Sequence, residues 1–153
     1  MGLRSKITQS LKEAMKEKDA IRLSTLRLIN AAIKDRDIAL RSGGEDDVGV
    51  GDDEILVILG KMVKQRQESA RAYEEGGRLE LAEKEMDEIK VIQTYLPRQL
   101  DEAETATAVD QAIEKTGASS IRDMGKVMGE LKGRYTGQMD FGKVGPMVKG
   151  RLS

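Results

Sequence analysis

The chain has 153 residues, enough for one domain of ordinary size, with 26 basic and 27 acidic side chains, three Tyr, one Phe and no Trp, Cys or His. Lack of cysteine excludes a disulfide framework, a thiolate nucleophile and a thiolate metal site within it. Lack of histidine removes the usual general base near neutral pH, the commonest metal ligand and every Ser-His or Cys-His pairing.

The apolar residues are mostly Leu, Ile, Val, Ala and Met set among many Glu, Lys and Arg, a mixture that favours helices over sheets. The opening MGLRSKITQSLKEAMKEKDA carries charge throughout and never reaches the apolar run of a signal peptide or membrane span, so a soluble, cytoplasmic chain with no membrane attachment is expected. Leu3, Ile7, Leu11, Ala14 and Met15 recur at helical spacing, and Leu23, Leu26, Ile29, Ile33 and Leu40 repeat the pattern in a second helix. SGGEDDVGVG at residues 42–51 breaks it as an exposed loop. Asp52 or Asp53 is placed to cap a third helix, whose apolar line runs through Ile55, Leu59, Met62, Val63, Ala70 and Tyr73 to a stop at Gly76-Gly77. A fourth helix carries Leu81, Ala82, Ile89, Ile92, Tyr95 and Leu96 and ends before Pro97, which disfavours helical geometry in the residue preceding it.

Beyond that proline, Asp101 with Glu104 forms a capping-box start, Val109 and Ile113 mark a short apolar face, and Gly117 offers a stop. Ser120 with Asp123 opens a further helix to about Leu131, residues 132–137 link, and Asp140 opens the last. The expectation is an all-α chain: a four-helix bundle over residues 1–97 and a three-helix module over residues 98–153.

Charge is unevenly spread. Residues 1–41 hold 10 basic against 5 acidic side chains, residues 78–117 hold 5 against 10, and residues 118–153 return to 7 against 3. Such blocks serve separate partner surfaces or complementary faces of one fold.

Few constellations carry chemistry. Glu85 and Glu88 share a helical side in an acid-rich stretch, a spacing more often used for solvation or ion pairing than for a cation, and no metal or cofactor is expected. Arg66 lies on the core-facing line of the third helix. If the third and fourth helices fold back at Gly76-Gly77, it comes level with Glu85 and Glu88, and a partly buried ion pair that sets their register is expected. Gly137 with Gly142-Lys143 matches part of a P-loop but is followed by Val144 rather than Ser or Thr, so it reads as linker and helix start. Gly125, Gly129 and Gly133 recur every four residues. They are expected to admit close packing by the last helix, the bolder use being approach of an RNA backbone beside Lys126, Lys132, Arg134, Lys143, Lys149 and Arg151.

Three segments together, LSTLRLINAAIK at residues 23–34, RQESARAYEEGGRLELAEKEMDEIKVIQTYLPRQL at residues 66–100 and DMGKVMGELKG at residues 123–133, closely resemble the YqeY family. That resemblance implies a helical bundle followed by a module similar to the tail of the B subunit of the glutamine-dependent aspartyl/glutamyl-tRNA amidotransferase, a tail associated with tRNA. It also implies the family's label of carbon-nitrogen ligase activity with glutamine as amido-N-donor, although no self-sufficient active site is visible here. The expected partners are therefore tRNA or the tRNA amidotransferase and aminoacyl-tRNA machinery, in an accessory role. The alternative is a protein-interaction adaptor with neither RNA binding nor catalysis.

Overall fold

The computed structural model describes residues 2–40 and 49–153. Among them the chain is all-α: α1 Leu3–Glu17, α2 Ala20–Ala39, α3 Asp52–Glu75, α4 Leu79–Gln93, α5 Glu102–Thr116, a 3₁₀ turn at Ile121–Asp123, α6 Met124–Arg134 and α7 Phe141–Leu152, with no strand. They form two compact units, Met1–Leu96 and Pro97–Ser153.

The first unit closes on residues at helical spacing: Ile7 of α1, Leu26, Ile29 and Ile33 of α2, Ile55 and Leu59 of α3, and Ile92 of α4 are all essentially out of water. Each such side chain contributes about 1.5–3 kcal/mol of hydrophobic stabilisation. The α1–α2 turn is tight. Lys18 takes a left-handed conformation (φ 57°) and the next residue, Asp19, caps α2 by accepting from Arg22 N at 3.2 Å.

Asp52 does not cap its own helix. Gly51 occupies that position without a side-chain bond, and Asp52 Oδ1 instead accepts from Leu3 N at 3.1 Å, so the start of α3 caps the start of α1. Beside it Arg4 donates from its two terminal guanidinium nitrogens to Asp37, Nη1 to Oδ2 and Nη2 to Oδ1, each at 2.9 Å. Arg4 Nη2 also donates to Val50 O at 3.1 Å, while Val50 N donates to Asp37 Oδ1 at 2.8 Å. This network ties α1, the last turn of α2 and the approach to α3. The greater part of the expected loop, residues 42–48, lies outside the described residues.

Gly76-Gly77 ends α3 in a Schellman arrangement: Arg78 N donates to Tyr73 O at 2.7 Å and Gly77 N to Glu74 O at 3.1 Å, with Gly77 at φ 74°. α4 stops earlier than the sequence pattern indicates. After Gln93 the chain tightens into three-residue bonds, Tyr95 N to Ile92 O and Leu96 N to Gln93 O, before Pro97.

The second unit packs Val109, Val127, Leu131, Val144 and Val148 into a core of its own. Its helix starts follow the capping residues. Glu104 N donates to Asp101 Oδ1 at 2.7 Å and Asp101 N returns to Glu104 Oε1 at 3.2 Å; Ser120 and Asp123 form a second box, and Asp140 accepts from Gly142 N at 2.9 Å. α6 continues to Arg134, past the stop expected near Leu131, because Leu131 is a core residue and the helix runs on to Tyr135, whose N–H still bonds Leu131 O. α7 accepts Pro146 in its interior at the loss of one backbone donor.

Arg98 clasps Glu104 at 2.9 and 2.7 Å, and this pairing, with the backbone bond from Asp101, lowers the Glu104 carboxyl to about 2. A depressed acid stabilises the fold above its unfolded pKa and ceases to do so as pH falls through the folded one. Carbon-detected titration of Glu104 should give a midpoint near pH 2, with the first amides of α5 losing exchange protection between about pH 4.5 and 2. A midpoint in the ordinary glutamate range shows the clasp to be absent in solution.

Candidate nucleic-acid interface

α6 buries Val127 and Leu131. With 3.6 residues per turn, the face opposite them falls to Gly125, Gly129 and Gly133. All three are exposed, and a Cβ added at any of them meets no atom within 4 Å. The expected close packing by the last helix is therefore not the use of these glycines. α7 approaches the other side of α6, where Val127 and Leu131 supply the core, so the four-residue spacing gave one shared face but chose the wrong one. The result is a helix with a bare outward lane, with Lys126 and Lys132 on either side of it.

α7 repeats the arrangement, which sequence reading missed. Val144, Val148 and Leu152 are buried, while Gly142, Pro146 and Gly150 are exposed on the opposite face, between Lys143 and Lys149. The signal lay in their spacing against the buried valines.

The six basic residues divide by what they touch. Lys132, Lys143 and Lys149 are exposed and form no salt bridge among the described residues. Lys126 is also exposed and lies one turn from Asp123, whose carboxyl is held low by backbone bonds from Ser119 and Ser120 and, more weakly, by Lys126 and Arg122. Arg134 stands over the ring of Tyr135, 5.8 Å from its centroid. Arg151 is engaged within the fold, its Nε 2.8 Å from Asp110 Oδ1, as Lys115 is with Glu130 Oε1 at 2.8 Å. A recess between α5 and α6, bounded by Ala112, Leu131 and Tyr135, holds about 10 Å³, the room of a single water. What this unit offers a ligand is surface, not a pocket.

In the first unit Arg66 Nε donates to Glu88 Oε2 at 3.0 Å and Nη1 to Met62 O at 3.2 Å. The partner is Glu88; Glu85, on the preceding turn, is half-buried and makes no bond to Arg66. The Arg66 and Glu88 side chains are 13% and 11% exposed.

A family model described as Yqey-like protein matches residues 4–152. The chain belongs to the YqeY family. Among its relatives are proteins named "Altered inheritance of mitochondria protein 41, mitochondrial": that of Meyerozyma guilliermondii is 31% identical over 153 residues, covering 94% of this chain and 75% of the relative. That of Vanderwaltozyma polyspora is 29% identical over 77% of this chain and 64% of the relative, and that of Clavispora lusitaniae 38% identical over 62% and 52%. The chain thus spans between about half and two thirds of the length of several of these YqeY-family relatives. Among its described residues no helix is long and apolar enough to cross a membrane.

Two stability outcomes follow from this geometry. Arg66→Met strands the Glu88 carboxylate and should cost about 3 kcal/mol in urea unfolding, most of it recovered by adding Glu88→Leu; an unchanged midpoint for the single variant shows the pair to be solvated. Gly129→Ala fills open space in an exposed helix and should stabilise by about 1 kcal/mol. Destabilisation there would restore the close-packing role.

Proposed function

We propose that the chain is a tRNA-related accessory protein whose α6 and α7 engage RNA phosphates, with the first unit serving as scaffold. The observation that carries this reading is the pair of outward faces, Gly125, Gly129 and Gly133 on α6 and Gly142, Pro146 and Gly150 on α7, each flanked by lysines that make no salt bridge among the described residues. Exposed glycine in a helix is about 1 kcal/mol less favourable than alanine, and at Gly125, Gly129, Gly133 and Gly150 no atom among the described residues comes within 4 Å of where a Cβ would sit. On α6 a lane with no side chains lets a phosphodiester backbone lie close to the helix, on α7 only the compact ring of Pro146 interrupts it, and lysines at the edges exchange condensed counterions for direct charge contact. The reading concerns positioning on RNA, not base recognition.

The resemblance of the second unit to the amidotransferase B-subunit tail supports tRNA as the RNA and the glutamine-dependent carbon-nitrogen ligase as the enzyme served. A chain without Cys or His brings neither thiolate nor imidazole to amide transfer, so its part is to hold tRNA for another subunit. We propose a cytoplasmic setting for this role; the relatives named above carry "mitochondrial" in their names.

Replacing Lys126, Lys132, Lys143 and Lys149 together by glutamine keeps helix propensity and removes charge. tRNA affinity should fall, and its dependence on log salt should flatten by roughly 0.7–0.9 for each phosphate that is no longer neutralised, with the helical circular dichroism unchanged. Absence of tRNA binding by the intact chain at low salt refutes the proposal and leaves the adaptor reading; unchanged binding in the lysine variant moves the site to α1 and α2, around Lys12, Lys16, Arg22 and Arg27.

A further inference from the structure

α2 has two apolar faces. One, through Leu26, Ile29 and Ile33, is buried in the first unit. The other consists of Ile21, Leu28, Ala31 and Ile38, with the exposed Ser24 set between Ile21 and Leu28, and it faces outward: Ile21, Leu28 and Ile38 are 42%, 47% and 62% exposed, and Ala31 is exposed as well. Single exposed hydrophobics are ordinary, but these four keep a seven-residue rhythm, 21 with 28 and 31 with 38, which lines them up along five turns of one helix. That is the spacing of a seam made to receive another helix.

The charges beside the seam are as ordered as the seam. α2 carries four basic residues. Arg22 is engaged by Glu13 and Glu17, and Arg36 by Glu54 at 2.7 Å. Arg27 and Lys34, also seven residues apart, are exposed along one edge of the seam and make no salt bridge among the described residues. The opposite edge carries Ala39, exposed, and Ala32, which packs in part against the core, and Asp35 lies within the seam itself.

We infer that this face of α2 docks an amphipathic helix of a partner protein. The partner lays its apolar stripe along Ile21, Leu28 and Ile38, turns Glu or Asp toward Arg27 and Lys34, and sets a basic or amide side chain opposite Asp35. A second copy of this chain fits poorly, since its α2 brings the same basic edge and no acidic one to meet it. A lipid surface would have to accept the Asp35 carboxylate in the middle of the apolar stripe. The inference rests on α2 alone and stands or falls independently of RNA binding by α6 and α7.

The probe is a pair of synthetic helices of about 21 residues, three heptads, with Leu along the seam and a Lys placed for Asp35, one flanked by Glu and the other by Lys. Titrated into the full-length chain with fluorescence anisotropy as readout, the Glu-flanked peptide should bind at least about tenfold tighter than the Lys-flanked one. Arg27→Glu with Lys34→Glu should reverse that order. Leu28→Ser should weaken binding about tenfold while leaving the circular dichroism intact, because Leu28 contributes to no buried core. Equal binding of both peptides, or of neither, overturns the inference. So does phosphatidylserine-vesicle binding abolished by Leu28→Ser, which makes the seam a membrane contact, or a dimer in sedimentation that the same change dissolves, which assigns it to a second copy.

Discussion

A guanidinium and a carboxylate, both nearly nine-tenths out of water, meet across the α3–α4 hairpin, and the rest of the first unit depends on that meeting. Either charge left alone in such a place costs several kcal/mol, so any slip of one helix along the other that separates Arg66 from Glu88 is penalised twice. The Schellman turn at Gly76-Gly77 brings the two helices back together, and the ion pair reinforces the register in which they lie. In this register Ile55, Leu59 and Ile92 face a common interior, and Leu26, Ile29 and Ile33 of α2 share the same core. The Arg4–Asp37–Val50 network then anchors α1 at its first turn. Burial of the apolar stripes and the short turn already favour one register, and the buried charges add a penalty for leaving it.

The second unit is held differently. It is small, built on valines and alanines, and its stability leans on helix ends: the Asp101–Glu104 box reinforced by Arg98, the Ser120–Asp123 box and the Asp140 cap. On α6, by contrast, three glycines share a face where an added Cβ would meet no atom of the described residues within 4 Å. The unit's acidic residues are partly absorbed internally, Asp110 by Arg151 and Glu130 by Lys115, so the lysines of the lanes keep their charge for solvent or ligand.

Sequence made local features legible. Each capping box and glycine stop after Pro97 is a contact within a few residues, and each lies where its spacing indicates. The Arg66 pairing was also within reach, because a hairpin turn converts sequence distance into spatial level; the resolution of that device was one turn, enough to name Glu85 and Glu88 together and not to choose between them. Long-range partners were out of reach. Asp52 looks like the cap of its own helix because nothing local reveals that the orphan N–H of Leu3 is brought beside it. The pairing of Arg4 with Asp37, 33 residues apart, leaves no periodic trace. The glycines of α6 were misread for a related reason: four-residue spacing says that residues share a face, and only the position of Val127 and Leu131 says which way the face points. The outward seam of α2 was hidden by the same ambiguity, since an apolar residue outside the core line breaks no rule of spacing.

The RNA contact proposed for this protein lies on the outward faces of α6 and α7. Recording ¹H–¹⁵N spectra of the uniformly labelled full-length chain during titration with tRNA at low salt tests it most directly, because every backbone amide reports its own surroundings. The account predicts that shifts and broadening concentrate on Gly125, Gly129 and Gly133 and their α7 counterparts Gly142 and Gly150, and that they recede as salt is raised. Perturbation confined to α1 and α2, with the glycine amides of α6 and α7 unmoved at saturating tRNA, contradicts it.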